Sequence, residues 1–332
     1  MRWQWKHMKP DDCYKMNGPT VKFYTYLQCS LRLVITVLFC GISATLVAEE
    51  IRFPEELTRF QPYASNPIFE AQGPGHWDVK IRERGWILKE GDFYHLWFTG
   101  YDGTREGIKK LGYAWSCDGI HWTRSPCNPI YQQHWVEDMM VIKHGDTYHM
   151  FAEGKDDIAH HLTSTDAVNW TRVGALDVRT SDGKPIAAGP YGTPVVWHEK
   201  GTWYLFYERR DAGIWLATSP DMKVWTNINN DKPVMLPGPE SYDQKMIAMN
   251  QLIKYQGTYY MIFHGTDAAQ KPSLWTTNIA ASKNMIDWVK YSGNPLTRPE
   301  VNQSSGLLIP DANRFRFYTM HSQVDLNLPV VP

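Results

Sequence analysis

The chain has 332 residues, 34 of them Lys or Arg and 35 Asp or Glu, for a formal charge of -1. That balance gives no electrostatic case for nucleic acid or an anionic membrane surface as a partner. The length suits one large domain or two ordinary ones. The 15 Trp, 18 Tyr and 12 Phe fit the pleated surfaces of a β-rich core, or a cleft whose walls stack on sugars.

Arg32 precedes LVITVLFCGISATLVA (residues 33–48), an apolar run of 16 residues followed at once by Glu49 and Glu50. The run is short for a membrane span but fits the core of a signal peptide cleaved near Ala48. Residues 1–48 therefore read as a signal peptide, with Met16 as an alternative start, and residues 49–332 as the mature chain. The expected location is secreted or periplasmic, with no membrane attachment after cleavage; an uncleaved anchor is the alternative. Cys13, Cys29 and Cys40 leave with the presequence, so Cys117 and Cys127 are the pair that could bridge in an oxidising compartment. No Cys/His spacing resembles a zinc site.

From here one grammar repeats. A glycine turn and an aromatic strand recur as EGDFYHLWFTG, HGDTYHMFAEG, KGTWYLFYER and QGTYYMIFHG. Their turn glycines Gly91, Gly145, Gly201 and Gly257 lie 54, 56 and 56 residues apart. Each is followed by a second strand closing on a turn and a Trp: SCDGIHW, STDAVNW, SPDMKVW and SKNMIDW. A third mark recurs as NPI at Asn66 and Asn128, KPV at Lys232 and NPL at Asn294, with a degraded form, GALDV, near Ala175. Several short strands per unit at this period are the sign of a β-propeller. The fold class is therefore all-β: a five-bladed β-propeller with four-stranded antiparallel blades. Unit five has GLLIP and FRFYTMH and then a Pro-containing tail, so residues of about 51–65 should close the ring with an N-terminal strand. No separate domain is expected after the presequence.

In such a ring the heads of the inner strands meet at the axis, where polar groups pack poorly and are candidates for function. Aligned on the turn glycine, Glu83 and Arg84, Glu137 and Asp138, Thr193 and Pro194, and Met249 and Asn250 occupy the same two places. Asp78 competes with Glu83 in the first unit, and Glu137 with Asp138 in the second. Successive strand residues face opposite sides, so one of that second pair should look inward. Glu153 and Glu208 end the second strands. Further polar or stacking candidates for substrate are His76, Trp77, Arg209, Asn250, Gln251, His264 and His321. Asp118, Asp166 and Asp221 read as turn residues, and Arg82, Arg84, Glu83 and Glu137 could equally form a buried ion-pair network. Asn169 and Asn302 match the glycosylation pattern.

The grammar YHLWFTG…LGYAWSCDGIHW, recurring over residues 51–322, resembles the five-bladed propeller glycosidases of the family 43, 32 and 117 type. The resemblance implies that an acid at the head of blade one is a base, here Asp78 or Glu83. It makes Asp138 or Glu137 a residue that tunes a neighbour's acidity, and it calls for a Glu at the head of blade three as general acid. Blade three departs from that pattern: GPYGTPVVW has Gly192 and Thr193 where the Glu should fall. Glu208, Glu153 or His264 would then supply the proton, or the activity has been lost.

Two carboxyls facing a sugar, one protonated and one ionised, are what glycoside hydrolysis needs. The expected function is an exported glycoside hydrolase acting on poly- or oligosaccharides, inverting as the look-alikes mostly do. The alternatives are a non-catalytic carbohydrate-binding propeller and a glycoside phosphorylase, for which Arg209 and Arg210 are the local basic pair. No cofactor is required, no catalytic metal is expected, and a structural calcium on the axis is conceivable beside His264 and His321. The partner is a carbohydrate substrate.

Overall fold

The computed structural model describes residues 51–186, 192–269 and 273–330, so the signal-peptide reading of residues 1–48 lies outside the described residues. Residues 51–332 form one compact unit of five sheets. Blade one runs Trp86–Glu90, Phe93–Tyr101, Lys110–Ser116 and Thr123–Arg124 from the axis outward, with Lys80–Ile81 added beside the end of its second strand. Blade two is Glu137–His144, Thr147–Glu153, His160–Ser164 and Thr171–Ala175. Blade three is Gly192–Glu199, Thr202–Glu208, Ile214–Ser219 and Val224–Asn227, and blade four is Met246–Tyr255, Thr258–Thr266, Thr276–Ser282 and Val289–Lys290. Blade five takes Leu307–Asp311, Arg314–Met320 and Val324–Pro329 from the C-terminal part of the chain, and Phe60–Pro62 closes it as the outer strand. The Pro-containing tail is thus the third strand of that blade. The GALDV segment is not the start of a unit. It leads into Asp177–Arg179, which pairs in parallel with the outer strand of blade three.

Each repeated mark has a physical task. In the turns, Ser116 Oγ accepts the Gly119 N–H and Asp118 Oδ1 accepts those of Ile120 and His121, all at 2.8 Å. Ser164 with Asp166 and Ser282 with Asn284 repeat this arrangement. The Asn of each Asn-Pro mark, cis to its Pro, stands in for a strand residue. Asn128 accepts from Tyr113 N and donates to Tyr113 O, Asn294 does the same to Ile279, and Asn66 to Leu326. Three side-chain amides thereby satisfy both backbone groups of a strand that would otherwise present an open edge.

The inner hairpins carry a second device. Lys143 Nζ and Tyr148 Oη both bond Glu90 of the preceding blade, at 2.6 and 2.5 Å. Lys254 and Tyr259 hold Glu199 in the same way, and Lys89 holds Asp311 across the closure. Between blades two and three the seam is aromatic instead: His144 meets His198 and Trp203 edge-on, at 4.7 and 5.0 Å. Trp97, Phe151, Phe206, Trp225 and Phe317 fill the interior of the blades. Cys127 carries a free thiol, so no bridge joins it to Cys117.

Candidate acidic site at the blade heads

The hairpin register shows how the heads are built. Counted from the first turn residue of each inner hairpin rather than from its glycine, four blades place one residue at the same point: Arg84, Asp138, Thr193 and Ser305. All four have positive φ, at 55°, 46°, 42° and 58°, a region that non-glycine residues seldom occupy. The pairing register slips beside Asp138 and Thr193. Blade four reaches a similar end with a bulge that leaves Asn250 unpaired. In blades three and four the turn begins one residue before the glycine, so alignment on Gly201 and Gly257 is off by one.

These bulges overturn the expectation that only one of Glu137 and Asp138 faces inward. Strand alternation fails at a bulge, and both carboxyls are buried in one cluster with Glu83, Arg82 and Arg84. Glu137 accepts from Trp135 Nε1 at 2.6 Å and from Arg82 Nε at 2.9 Å. Arg82 also pairs with Glu83, at 3.2 Å. Burial opposes its charge, but Glu83, Asp138 and Glu137 together hold the Arg82 guanidinium more firmly protonated than usual. Arg84 is wholly buried and donates to the carbonyls of Asp138 and Pro194, at 2.8 and 3.0 Å, while its own N–H donates to Met320 O. It therefore ties blades one, two, three and five together. Burial lowers its pKa to about 10 despite the surrounding carboxylates.

Blade three explains its own departure from the glycosidase pattern. A Cβ on Gly192 would overlap a Glu153 oxygen and stand 2.5 Å from a Glu208 oxygen. The space where a Glu was expected is already filled by acids from the second strands of blades two and three. Glu153 accepts the Thr193 N–H, and Glu208 accepts those of Gly192 and Asp211. Burial, then Asp138 and Glu137, pushes Glu153 well above the carboxylate range. Burial and Asp211 raise Glu208 to about 7, and Asp211 itself is raised to about 6 by burial and Glu83.

The remaining wall comes from blades four and five. His264 is buried on blade four, its Nδ1 2.9 Å from Asn250 Nδ2 and its ring edge-on to Trp275 at 5.0 Å. Burial lowers it to about 4. His321 from blade five reaches Glu83 Oε2 at 3.3 Å. Glu83 is held low. Burial pushes it up, but neighbouring positive charge, Arg82 first, outweighs burial. Asp138 is the opposite case, raised well above its ordinary value by burial, then Glu83 and Glu137, with Oδ1 lacking any protein partner.

The structure thus brings together Glu83, Glu137, Asp138, Glu153, Glu208, Asn250, His264 and His321. It engages the other candidates elsewhere. Asp78 is wholly buried and bonded by Arg124 of blade one's outer strand at 2.7 Å. Exposed His76 stands beside it, and Trp77 lies over Gly100 and Phe98. Arg209 donates to Tyr207 Oη and covers the Trp215 ring. Gln251 clasps both backbone groups of Leu308, so it joins blades four and five. Sequence reading passed over Asp211, three residues beyond Glu208, and half-buried Trp135 and Trp275. The only available signals were an acid ending FYERRD and a Trp ahead of a strand. Among the described residues no group of three His, Cys, Asp or Glu could hold a metal ion.

No family model matches the chain. A 1,2-beta-oligomannan phosphorylase of Thermoanaerobacter sp. (strain X514) is 24% identical over 229 residues, 64% of this chain and 73% of that protein. The structure of a putative glycoside hydrolase from Parabacteroides distasonis superposes with a TM-score of 0.69 at 14% identity, covering 83% of this chain and 97% of that one. A beta-1,2-mannobiose phosphorylase from Listeria innocua gives 0.65 at 15% identity, covering 81% and 96%. The chain has a five-bladed β-propeller fold, which it shares with these solved structures.

Proposed function

We propose that the chain is an exported glycoside hydrolase in which Asp138 gives the proton to the leaving oxygen and Glu83 activates water. What carries this reading is that their surroundings push these two neighbouring acids in opposite directions. Asp138, with one oxygen unengaged, is pushed toward its protonated form by burial and then by Glu83 and Glu137, and Glu83 toward its ionised form, since neighbouring positive charge, Arg82 first, outweighs its burial. That division of labour is the one glycoside hydrolysis requires. Glu137, Glu153, Glu208 and Asp211 set the local field, and the neutral wall of His264 and Trp275 suits sugar hydroxyls and ring faces. Export rests on residues 33–48.

Water rather than phosphate is favoured as the attacking species. Both guanidiniums near Glu83 are committed, Arg82 to two carboxylates and Arg84 to two carbonyls. A phosphate dianion entering there would meet six carboxyls before a free cation. The phosphorylase alternative draws on the oligomannan-phosphorylase relative, and would need exposed Arg210, two residues beyond Glu208, to turn inward. The same relative makes β-1,2-linked mannosides the first substrates to test. The protein is incubated with such oligosaccharides and a wider panel, with and without inorganic phosphate. Free reducing sugar in both arms, with Glu83→Gln losing about 100- to 10,000-fold in kcat, supports hydrolysis. Sugar 1-phosphate formed only with phosphate overturns it, and no turnover on any sugar favours the binding-module alternative. The anomer released first, followed by NMR, is expected to be inverted.

A further inference from the structure

Asn302 follows the short turn Pro299–Val301 and has φ 49°. Its Oδ1 accepts the backbone N–H of Trp275 at 2.7 Å. Because a backbone N–H can only donate, this bond fixes which end of the amide is which. The Nδ2 end then lies 3.2 Å from His321 Nε2. An amide nitrogen can only donate, so Nε2 accepts and carries no proton. The ring hydrogen therefore sits on Nδ1, which is 3.3 Å from Glu83 Oε2 and 2.8 Å from Ser304 Oγ. Both of those oxygens can accept.

We infer that Asn302 and His321 are positioning residues, a relay that fixes His321 in its neutral Nδ1–H tautomer, with that hydrogen bonded to Ser304 Oγ at 2.8 Å and the Glu83 carboxylate 3.3 Å away. The inference rests on the hydrolase reading only in calling Glu83 the base. Doubly protonated imidazole would set Nε2–H against the Asn302 N–H, donor against donor, so the relay holds the ring neutral. A neutral ring sits 3.3 Å from Glu83 without adding a charge, and leaves it basic. A cationic ring would form an ion pair with it and weaken it as a base. When water attacks the anomeric carbon, its proton goes to Glu83, and His321 keeps its own. The charged and titratable groups around the pair are Arg82 and Arg84 of blade one, Asp138 of blade two, Asp211 of blade three and His264 of blade four. The relay also excludes Asn302 from the glycosylation role its Asn-Gln-Ser triplet suggests, since both ends of the amide are in use.

The test is made on the full chain labelled with 15N-histidine, with the His321 signals assigned by their loss in His321→Gln. Wild-type protein at neutral pH should show a protonated Nδ1 and an unprotonated Nε2, the reverse of the tautomer free imidazole prefers. Asn302→Asp keeps the size of the side chain and its bond from Trp275, but offers Nε2 an acceptor, so both ring nitrogens should become protonated. In turnover the same variant should lose about tenfold in kcat with KM little changed, and the acid limb of its pH profile should move to lower pH. An Nε2–H tautomer in the wild type, or identical ring states in wild type and Asn302→Asp, overturns the relay. The NMR readout needs no substrate, so an inactive protein showing the expected tautomer would sink the hydrolase reading and leave the relay standing.

Discussion

Asp138→Asn separates chemistry from stability in one substitution. The amide has the size of the acid, and what Arg84 holds at this position is the backbone carbonyl, which is untouched. Asp138 lies buried beside Glu83 and Glu137, which together hold its carboxyl well above the ordinary range. The folded carboxyl therefore keeps its proton to higher pH than the unfolded one does. The native state binds the extra proton, so wild-type stability falls as pH climbs from the unfolded value, about 3.9, to the raised folded one. Every pH unit of that window removes about 1.4 kcal/mol. A change of 1 kcal/mol moves the midpoint of a domain near this size by roughly 2–4 °C. The amide does not titrate, so the variant should melt roughly 3 °C or more above wild type at pH 7. The gap should close toward pH 4. Turnover should drop by about 100- to 10,000-fold, the usual worth of a positioned proton donor. Thermal melts at a series of pH values, run beside initial rates, check both. A variant that melts below wild type at pH 7, or a gap that does not change with pH, refutes the buried protonated carboxyl. Unimpaired turnover refutes the donor.

Asp78→Asn tests the division between site and scaffold. It should cost about 1–3 kcal/mol by weakening a buried bond to Arg124, with kcat within about twofold of wild type if Asp78 stands outside the chemistry; a large kcat loss in a well-folded variant would return it to the site. Gly192→Ala should destabilise by about 1–3 kcal/mol, as overfilled interiors do, and should change the alkaline limb of the pH profile by disturbing Glu208, raised to about 7; a variant indistinguishable from wild type would show that the two acids do not occupy that space. His160 and His161 are lowered to about 4 by burial, with neighbouring positive charge adding to it, against an ordinary value of about 6.5. The unfolded chain then binds more protons between those values, so stability present above about pH 6.5 is lost as pH falls toward 4. His161→Phe keeps the stack on Phe151 at 4.6 Å and should flatten that loss, by about 1.4 kcal/mol per unit; equal urea-unfolding slopes against pH in both proteins would count against it.

The ring was legible because its marks are local. A turn Asp, a strand-mimicking Asn and a Lys and Tyr at fixed spacing each bond close by or to the next blade, so they recur wherever a blade recurs. The heads of the strands were less legible for the opposite reason. Alternation assigns Glu137 and Asp138 to different faces, and only the positive φ of Asp138 puts both in one cluster. Nothing in an acidic side chain announces that conformation. A glycine would have done so, but Arg84, Asp138, Thr193 and Ser305 adopt it without one. Asp78 reads like a catalytic acid, set just before an apolar strand. Its partner Arg124 lies 46 residues later on an outer strand, a distance at which sequence gives no pairing signal. Blade three misled by omission, because the residue that matters at Gly192 is the side chain it lacks.

The bulged heads also bear on what the cluster is for. Each leaves a buried polar atom without a protein partner: Arg84 Nε, Asp138 Oδ1, Thr193 Oγ1 and Ser305 Oγ, joined by Asn250 Oδ1 from blade four. A group of this kind left unsatisfied costs about 1–3 kcal/mol, and positive φ adds strain in four of the five blades. A ring built for stability alone would take regular inner strands with apolar heads, as their lower reaches do at Ile87, Val141, Val196, Leu252 and Ile309. Instead the irregularity is confined to one end of the inner strands, and there it is repeated blade after blade. The polar atoms it leaves unpaired include both donors and acceptors, which matches a ligand whose hydroxyls are both. A polyol ring meets that demand better than a planar anion or a bare cation does. The same bulge that concentrates acids at the heads therefore also gathers unpaired donors and acceptors beside them.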